Sequence, residues 1–321
     1  MGKISVMRPR SADIHPVLML LTSHRMDCCV LCLRCLERFT DLGRFKRIHI
    51  LANAVTENHR AILSRFAARH DNVTIRDCLP RGLVPAVTTA QNEILAAHIR
   101  DVIVKLDEDV FVTPNWLDHL IEGYRHHAHR DDVVLVTPLV PVSPAGRHVL
   151  NRFLTVSFPS ERHMYVGPPV EENWVYHRWM WEKVLREGLA EAWLAERPAL
   201  YSYLDYVTIN CVIYDRRLIE RVHPFPVRPI RGLLTTDELV INRALLDGNL
   251  RVAVLGRSLA HHYSFSPCEE YLRGHVSMEE VWRYSERLRT TPAETAPSPP
   301  PIQRPALKVL TSGGLHRVMR A

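Results

Sequence analysis

Along the first half of the chain one alternation repeats: a short apolar run, a polar break, then a stretch whose apolar positions have helical spacing. The runs are Val17 to Thr22, Arg47 to Leu51, Asn72 to Arg76, Val102 to Leu106 and Val133 to Thr137. The first is apolar from Val17 through Leu21, not at alternate positions, as in a strand covered on both faces. Between the runs the spacing predicts helices from a cap at Asp27 to about Thr40, over Thr56–Arg69 and over Pro85–Arg100. A further helix starts at Thr113-Pro114 and ends near His127. Strands alternating with helices imply an α/β fold with a largely parallel sheet and right-handed crossovers.

In such sheets ligands bind beyond the carboxyl ends of the strands. Three polar clusters fall at those ends: Thr22-Ser23-His24-Arg25, Asn53, and Asp107-Glu108-Asp109 after Lys105-Leu106. Along a strand Asp107 and Asp109 point to the same side. Two same-side carboxylates repel unless a positive charge lies between them. A hard divalent cation fills that role and commonly bridges phosphates as well. The other reading is a solvated acidic turn, and the convergence of three clusters on one edge weighs against it.

After Pro138 the alternation breaks in a loop containing Pro138, Pro141, Pro144 and Gly146. Asn173–Ala195 reads as a helix carrying Trp174, Trp179, Trp181 and Trp193, with Tyr201, Tyr203 and Tyr206 beyond it. These rings are either core or a face for a ring-bearing ligand. A strand is expected over Thr208–Tyr214, a short helix over Asp215–Val222, a helix from Thr235-Thr236 to Gly248, and a strand over Leu250–Leu255. From about residue 290 the chain is proline-rich and reads as a flexible tail. The divisions expected are 1–138, 139–275 and 276–321, the last a helix and the tail.

At 321 residues, 46% hydrophobic and 24% charged, the chain can bury a large core. Val17–Leu21 is too short to span a membrane, and the N-terminus lacks a signal-peptide pattern, so a cytoplasmic protein is expected. The net charge of +6 comes from scattered arginines. It suits an anionic small molecule, or at most peripheral contact with the inner face of a membrane, and not nucleic acid.

Four of seven cysteines cluster at Cys28, Cys29, Cys32 and Cys35. Cys28, Cys32 and Cys35 have the spacing that radical S-adenosylmethionine enzymes use for an iron–sulfur cluster. The same three positions are i, i+4, i+7 on one helix face, flanked by Val30, Leu31, Leu33 and Leu36, which makes a buried core helix the alternative.

The segment Ile103 to Leu117, with its Asp107-Glu108-Asp109, resembles the Asp-x-Asp segment of GT-A nucleotide-sugar glycosyltransferases. Thr236-Asp237 with Leu239, Arg243 and Gly248 is similar to the Glu-Asp helix of family 2 members, with Thr236 in place of Glu. Ala260-His261-His262-Tyr263-Ser264-Phe265 resembles their late metal-binding histidine. The resemblance covers roughly residues 15–137 and 205–266. It implies the GT-A fold, a mixed and mostly parallel sheet flanked by helices, and a metal-dependent hexosyltransferase acting in cell-surface polysaccharide synthesis. Residues 1–138 would hold the nucleotide sugar and 139–275 the acceptor.

By the same resemblance Mn²⁺ or Mg²⁺ is held by Asp109, Asp107 and a histidine, His262 in preference to His261. Asp107 lies toward the ribose, and Glu108 faces away as a non-ligand. Thr22, Ser23, Arg25 and Asn53 touch the nucleotide, and Lys105 meets a phosphate. Asp237 is the general base of an inverting transfer from a nucleoside-diphosphate sugar to a glycan hydroxyl. Read from the residues alone, the alternatives are that Asp237 is a helix cap and the His pair a strand edge. A non-catalytic nucleotide-binding protein is the remaining alternative.

Overall fold

In the computed structural model, which describes residues 14–228 and 236–289, each apolar run of the first half is a strand. Chain order begins β1 (Val17–Thr22), α1 (Met26–Phe39), β2 (Arg47–Ala52), α2 (Glu57–Ala67), β3 (Val73–Asp77), α3 (Val84–Ala97) and β4 (Ile103–Asp107). It continues β5 (Val110–Val112), α4 (Trp116–His127), β6 (Val133–Leu139), α5 (Pro144–Ser157), α6 (Arg162–Tyr165), α7 (Trp174–Arg186), α8 (Leu189–Ala195), β7 (Tyr201–Leu204) and β8 (Cys211–Tyr214). It closes with α9 (Arg216–Val222), α10 (Asp237–Asp247), β9 (Arg251–His262), α11 (Ser266–Arg273) and α12 (Met278–Arg287). These residues fall within one compact unit, Met1–Thr290.

Among the described residues the sheet runs β3-β2-β1-β4-β8-β6-β9-β5, with β7 on β9. β1, β2, β3, β4, β6 and β9 share one direction, and β5, β7 and β8 oppose it. The carboxyl ends of β1, β2 and β4 therefore share one edge. Because β8 is antiparallel to β4, its amino end arrives at that edge too, with Cys211 opposite Leu106.

Several boundaries differ from the sequence reading. Asp27 is not the cap of α1: the backbone at Arg25 is already non-helical, and Asp27 lies in the first turn, paired with Arg273. Thr113-Pro114 does not begin α4, whose N-cap is Asn115 in the left-handed region at φ 62°. The residues just before α4 are instead spent on β5, too short a strand to show periodicity. Pro138 lies inside β6, not in a loop. The single helix expected at 173–195 is two, divided at Gly188 (φ 64°). α5 was not anticipated, although Ser143 accepts the Gly146 amide and Pro144 occupies the first turn. Thr235 and the proline-rich segment lie outside the described residues.

The cysteine cluster sits on α1, with Cys28, Cys29, Cys32 and Cys35 all buried in the core. Burial pushes the Cys29 and Cys35 thiols up to about 12 and Cys28 and Cys32 further still, so the thiolate form that ligates metals is suppressed. This is the core-helix alternative. Trp179, Trp181 and Trp193 are likewise core. Each buried indole has a partner: Trp179 donates to Glu161, Trp181 to the Tyr263 carbonyl and Trp193 to the Gly256 carbonyl. Trp174 is the exposed exception, at 44%. No helix among the described residues is long and apolar enough to cross a membrane.

Candidate functional site

Thr22 ends β1, and the loop to α1 returns over the end of β4. Glu108 ties the two together. Its carboxylate accepts from the Thr22 hydroxyl at 2.6 Å and from the Arg25 amide at 3.2 Å, and His59 of α2 lies 3.0 Å from the same hydroxyl. Thr22 is fully buried in this network. Glu108 is thus an anchor for the loop carrying Ser23, His24 and Arg25, a role that spacing alone does not reveal.

The β1 loop delivers Arg25 into the sheet edge, where it is 7% exposed. Its guanidinium donates to Asp109 Oδ2, to the Ser264 carbonyl at 2.9 Å and to the Ser266 hydroxyl at 3.3 Å. Its Nε lies 2.7 Å from Glu269 Oε2 on α11. Antiparallel pairing of β5 with β9 sets Val110 opposite His262 and so brings the end of β9 beside Asp109. His262 Nε2 is 3.2 Å from Asp109 Oδ2. Its Nδ1 lies 3.2 Å from the Val142 carbonyl. A carbonyl only accepts, so Nδ1 carries the proton and Nε2 is the nitrogen turned to the carboxylate.

Strand alternation puts His261 on the opposite face. It packs against Trp181 and Tyr284, with Nε2 3.2 Å from the Tyr284 hydroxyl, and burial pulls it down to about 4. Burial opposes charge on Asp109 and His262 as well. On Asp109, His262 and Arg25 more than offset it, holding the carboxyl below the usual range. On His262, Asp109 does the same, and the imidazole is raised.

A second group lies beside the first. Lys105 is buried, and its ammonium donates to Asp107 Oδ1 at 2.8 Å and to the Ile209 carbonyl at 3.2 Å, with Asp237 Oδ2 at 3.9 Å. These two carboxylates keep Lys105 protonated against the desolvation of burial. Burial pushes Asp107 upward, Lys105 opposes this, and Asp109 and Asp237 add repulsion. Asn210, just before β8, donates to Asp107 Oδ2 at 3.3 Å, while its own Oδ1 is buried without a partner among the described residues.

Asp237 accepts from Gln91 of α3 at 2.8 Å. It is the first residue of α10 and not its cap, because Thr236 fills that position, accepting from the Leu239 amide. Burial raises its neighbour Glu238 to about 7, although the carboxylate accepts from the Ile209 amide at 3.2 Å.

Glu238 carries a stability prediction. Its folded value lies above its ordinary 4.5. Between those values the folded chain holds a proton that the unfolded chain has released, so stability falls as pH rises from about 4.5 to about 7. Glu238→Gln keeps an acceptor for the Ile209 amide and removes this titration. Its unfolding free energy in urea titrations, relative to wild type, is expected to rise from pH 5 to pH 7.5, by at most about 1.4 kcal/mol per pH unit. A constant difference across that range refutes the assignment.

The structure therefore brings Arg25, Asp109 and His262 together, and sets Lys105, Asp107 and Asp237 side by side. A cavity of about 210 Å³ joins Ser23, Arg25, Asp107, Asp109, Asn210 and His262. Asn53 is elsewhere engaged, its Oδ1 accepting from the Gly82 amide at 2.8 Å. Asn210, Gln91 and Glu269 were not legible in the sequence, because antiparallel pairing or distant helices bring them in, and Ser264 was read only as part of the late-histidine segment.

Two donors, Asp109 and His262, are spaced as ligands of a divalent cation, whereas Asp107 does not join them in a group of three within reach of one ion; among the described residues such a group is formed by Cys29, His59 and Glu108. Adjacent ligands of an octahedral ion with bonds near 2.1 Å sit ~3 Å apart, and Asp109 Oδ2 to His262 Nε2 is 3.2 Å. The backbone acceptor at Nδ1 orients the ring as metal-bound histidines usually are. Asn210, whose Oδ1 is buried without a partner among the described residues, lines this cavity. Arg25 supplies the positive charge at Asp109 instead, so a metal and the guanidinium compete for one oxygen.

No protein-family model matches the chain, and no curated protein matches it. Among solved structures, a mannosyltransferase from Pyrobaculum calidifontis in complex with GDP-Man and Mn²⁺ is 13% identical at TM-score 0.46. It covers 78% of this chain and 59% of its own. At that score it carries no argument. GalNAc-T7 with UDP, GalNAc and Mn²⁺ is 10% identical at TM-score 0.51, covering 86% of this chain and 54% of its own. The chain thus spans less than two thirds of either structure. The likeness to GalNAc-T7 shows the fold alone, and that fold is GT-A, as the resemblance in the sequence implies.

Proposed function

We propose that the chain is a metal-dependent glycosyltransferase that moves a hexose from a nucleoside-diphosphate donor to a glycan hydroxyl with inversion. One observation carries this reading: His262 Nε2 and Asp109 Oδ2 face each other at 3.2 Å, next to the Asp107–Lys105–Asp237 group on the ligand-binding edge of a GT-A sheet. The fold-related GalNAc-T7 holds UDP and Mn²⁺, which agrees with this choice of ligands.

In this reading Asp109 and His262 hold Mn²⁺ or Mg²⁺ with Asp107 beside them, and the ion when bound supplies Lewis-acid neutralisation of the departing diphosphate. Asp237 accepts the proton of the acceptor hydroxyl as its oxygen forms the new bond to the anomeric carbon. The old bond from that carbon to the phosphate oxygen breaks, and its electron pair leaves with the nucleoside diphosphate. Gln91 fixes the orientation of Asp237, and Lys105 offsets the repulsion between Asp107 and Asp237. Ser23 meets the nucleotide from the β1 loop, and residues 139–275 supply the acceptor face.

Incubation with UDP- and GDP-sugars and Mn²⁺ tests the reading through release of free nucleoside diphosphate on addition of acceptor glycans. Metal-dependent binding with no turnover of any donor favours a non-catalytic nucleotide-binding protein.

Arg25 gives a prediction of unusual sign. Its guanidinium sits on the oxygen the metal needs, so Arg25→Gln removes a repelling charge and frees Glu269. Calorimetry with Mn²⁺ alone is expected to show binding about tenfold tighter than wild type, or ~1.4 kcal/mol. Unchanged or weaker binding would mean that Arg25 does not compete.

A further inference from the structure

We propose that His49 and His98 form a second cation site, for Zn²⁺ or a similar borderline divalent ion, separate from the Asp109 site. His49 lies on β2, in register with Met19 and Thr74, and His98 caps the carboxyl end of α3. Neither residue belongs to the resemblance or to the proposed transfer. Their Nε2 atoms face each other at 3.1 Å.

The outer nitrogen of each ring is braced. His98 Nδ1 lies 2.8 Å from Asp101 Oδ2, a carboxylate also bound by Lys46 at 2.8 Å. It therefore carries a proton, and His98 turns a bare Nε2 inward. His49 Nδ1 lies 2.9 Å from the Thr74 hydroxyl. A carboxylate behind an inward-facing imidazole, as Asp101 is behind His98, is a usual support of a metal ligand.

Without a cation, the Thr74 hydroxyl donates to His49 Nδ1, and His49 Nε2–H donates to His98. With one, the hydroxyl turns to the Ile48 carbonyl, 3.4 Å away, and accepts from Nδ1–H. Both inner nitrogens then present lone pairs. Two nitrogens at about 2.0–2.1 Å from one tetrahedral ion are ~3.3–3.4 Å apart, a few tenths beyond the separation already present. Imidazole pairs suit Zn²⁺, Cu²⁺ and Ni²⁺ better than Mn²⁺ or Mg²⁺.

Both rings are half-buried, so water completes the coordination. Burial, with His98, Arg47 and Arg76 nearby, pulls His49 down to about 4, so protons do not compete with a metal near neutral pH. Arg76 is itself paired with Glu93, and Lys46 with Asp101, which limits the opposing charge. A bound ion would tie the middle of β2 to the end of α3.

The test uses Asp109→Asn protein, in which the first site is disabled, titrated with Zn²⁺ and separately with Cu²⁺. The expected result is one Zn²⁺ per chain, with affinity falling at least tenfold in Asp109→Asn/His98→Gln. Electron paramagnetic resonance of the Cu²⁺ form is expected to show coupling to two imidazole nitrogens, reduced to one in the double variant. His49→Gln serves as the second test on β2, and circular dichroism confirms its fold. Zn²⁺ binding that persists unchanged in both double variants, or the absence of a one-to-one site in Asp109→Asn, overturns the proposal.

Discussion

Asp109→Asn is expected to abolish Mn²⁺-dependent binding of UDP or GDP, with a loss of at least ~100-fold, or ~2.7 kcal/mol. The substitution keeps the shape of the side chain and removes its charge. In the wild-type chain that charge is buried, facing Arg25 and His262. The amide oxygen is a far weaker ligand for a hard cation than a carboxylate.

A lost partner for a buried charge can also unfold a protein. Here Arg25 keeps Glu269 and the Ser264 carbonyl, and His262 can shed its proton. The variant is therefore expected to fold, with a wild-type circular dichroism spectrum and a lowered thermal midpoint. Calorimetry separates the two effects. A folded variant with undiminished nucleotide affinity would remove Asp109 from the metal site.

Asp237→Asn is expected to leave donor binding within about twofold and to lower kcat by ~10²–10⁴, the usual contribution of a positioned general base. Its place in the helix makes this a discriminating substitution. Thr236 caps α10, so a loss of cap stability is not expected. Asparagine still offers an oxygen to Gln91, the partner at 2.8 Å. What disappears is the capacity to take a proton. Steady-state kinetics with the UDP- or GDP-sugar that turns over checks this. Wild-type kcat would reassign Asp237 to a structural role beside Lys105.

Much of the fold was legible because a parallel sheet writes itself locally. Val17–Leu21 is apolar at every position, Val102–Val104 is an apolar run into Lys105, and Thr56 caps α2. The illegible parts depend on pairing partners remote in sequence. β5 is three residues long and is defined by β9, some 150 positions on. Pro138 can sit in β6 because its register with β9 is irregular next to it.

The same division runs through the site. Asp107 and Asp109 announce themselves by spacing, and strand alternation separates His261 from His262. Glu108 looked idle, because its partners, the Thr22 hydroxyl and the Arg25 amide, come from the β1 end of the chain. Arg25 read as a nucleotide contact, and only the fold shows it lying on Asp109, held there by Glu269 from α11.

Isothermal titration of UDP and GDP into the wild-type chain, with Mn²⁺ and again with EDTA, bears most directly on the metal–diphosphate site. Binding of at least one nucleotide with Mn²⁺, and none in EDTA, is the expected result. Equal affinity in EDTA, or no binding of either nucleotide in Mn²⁺, contradicts it.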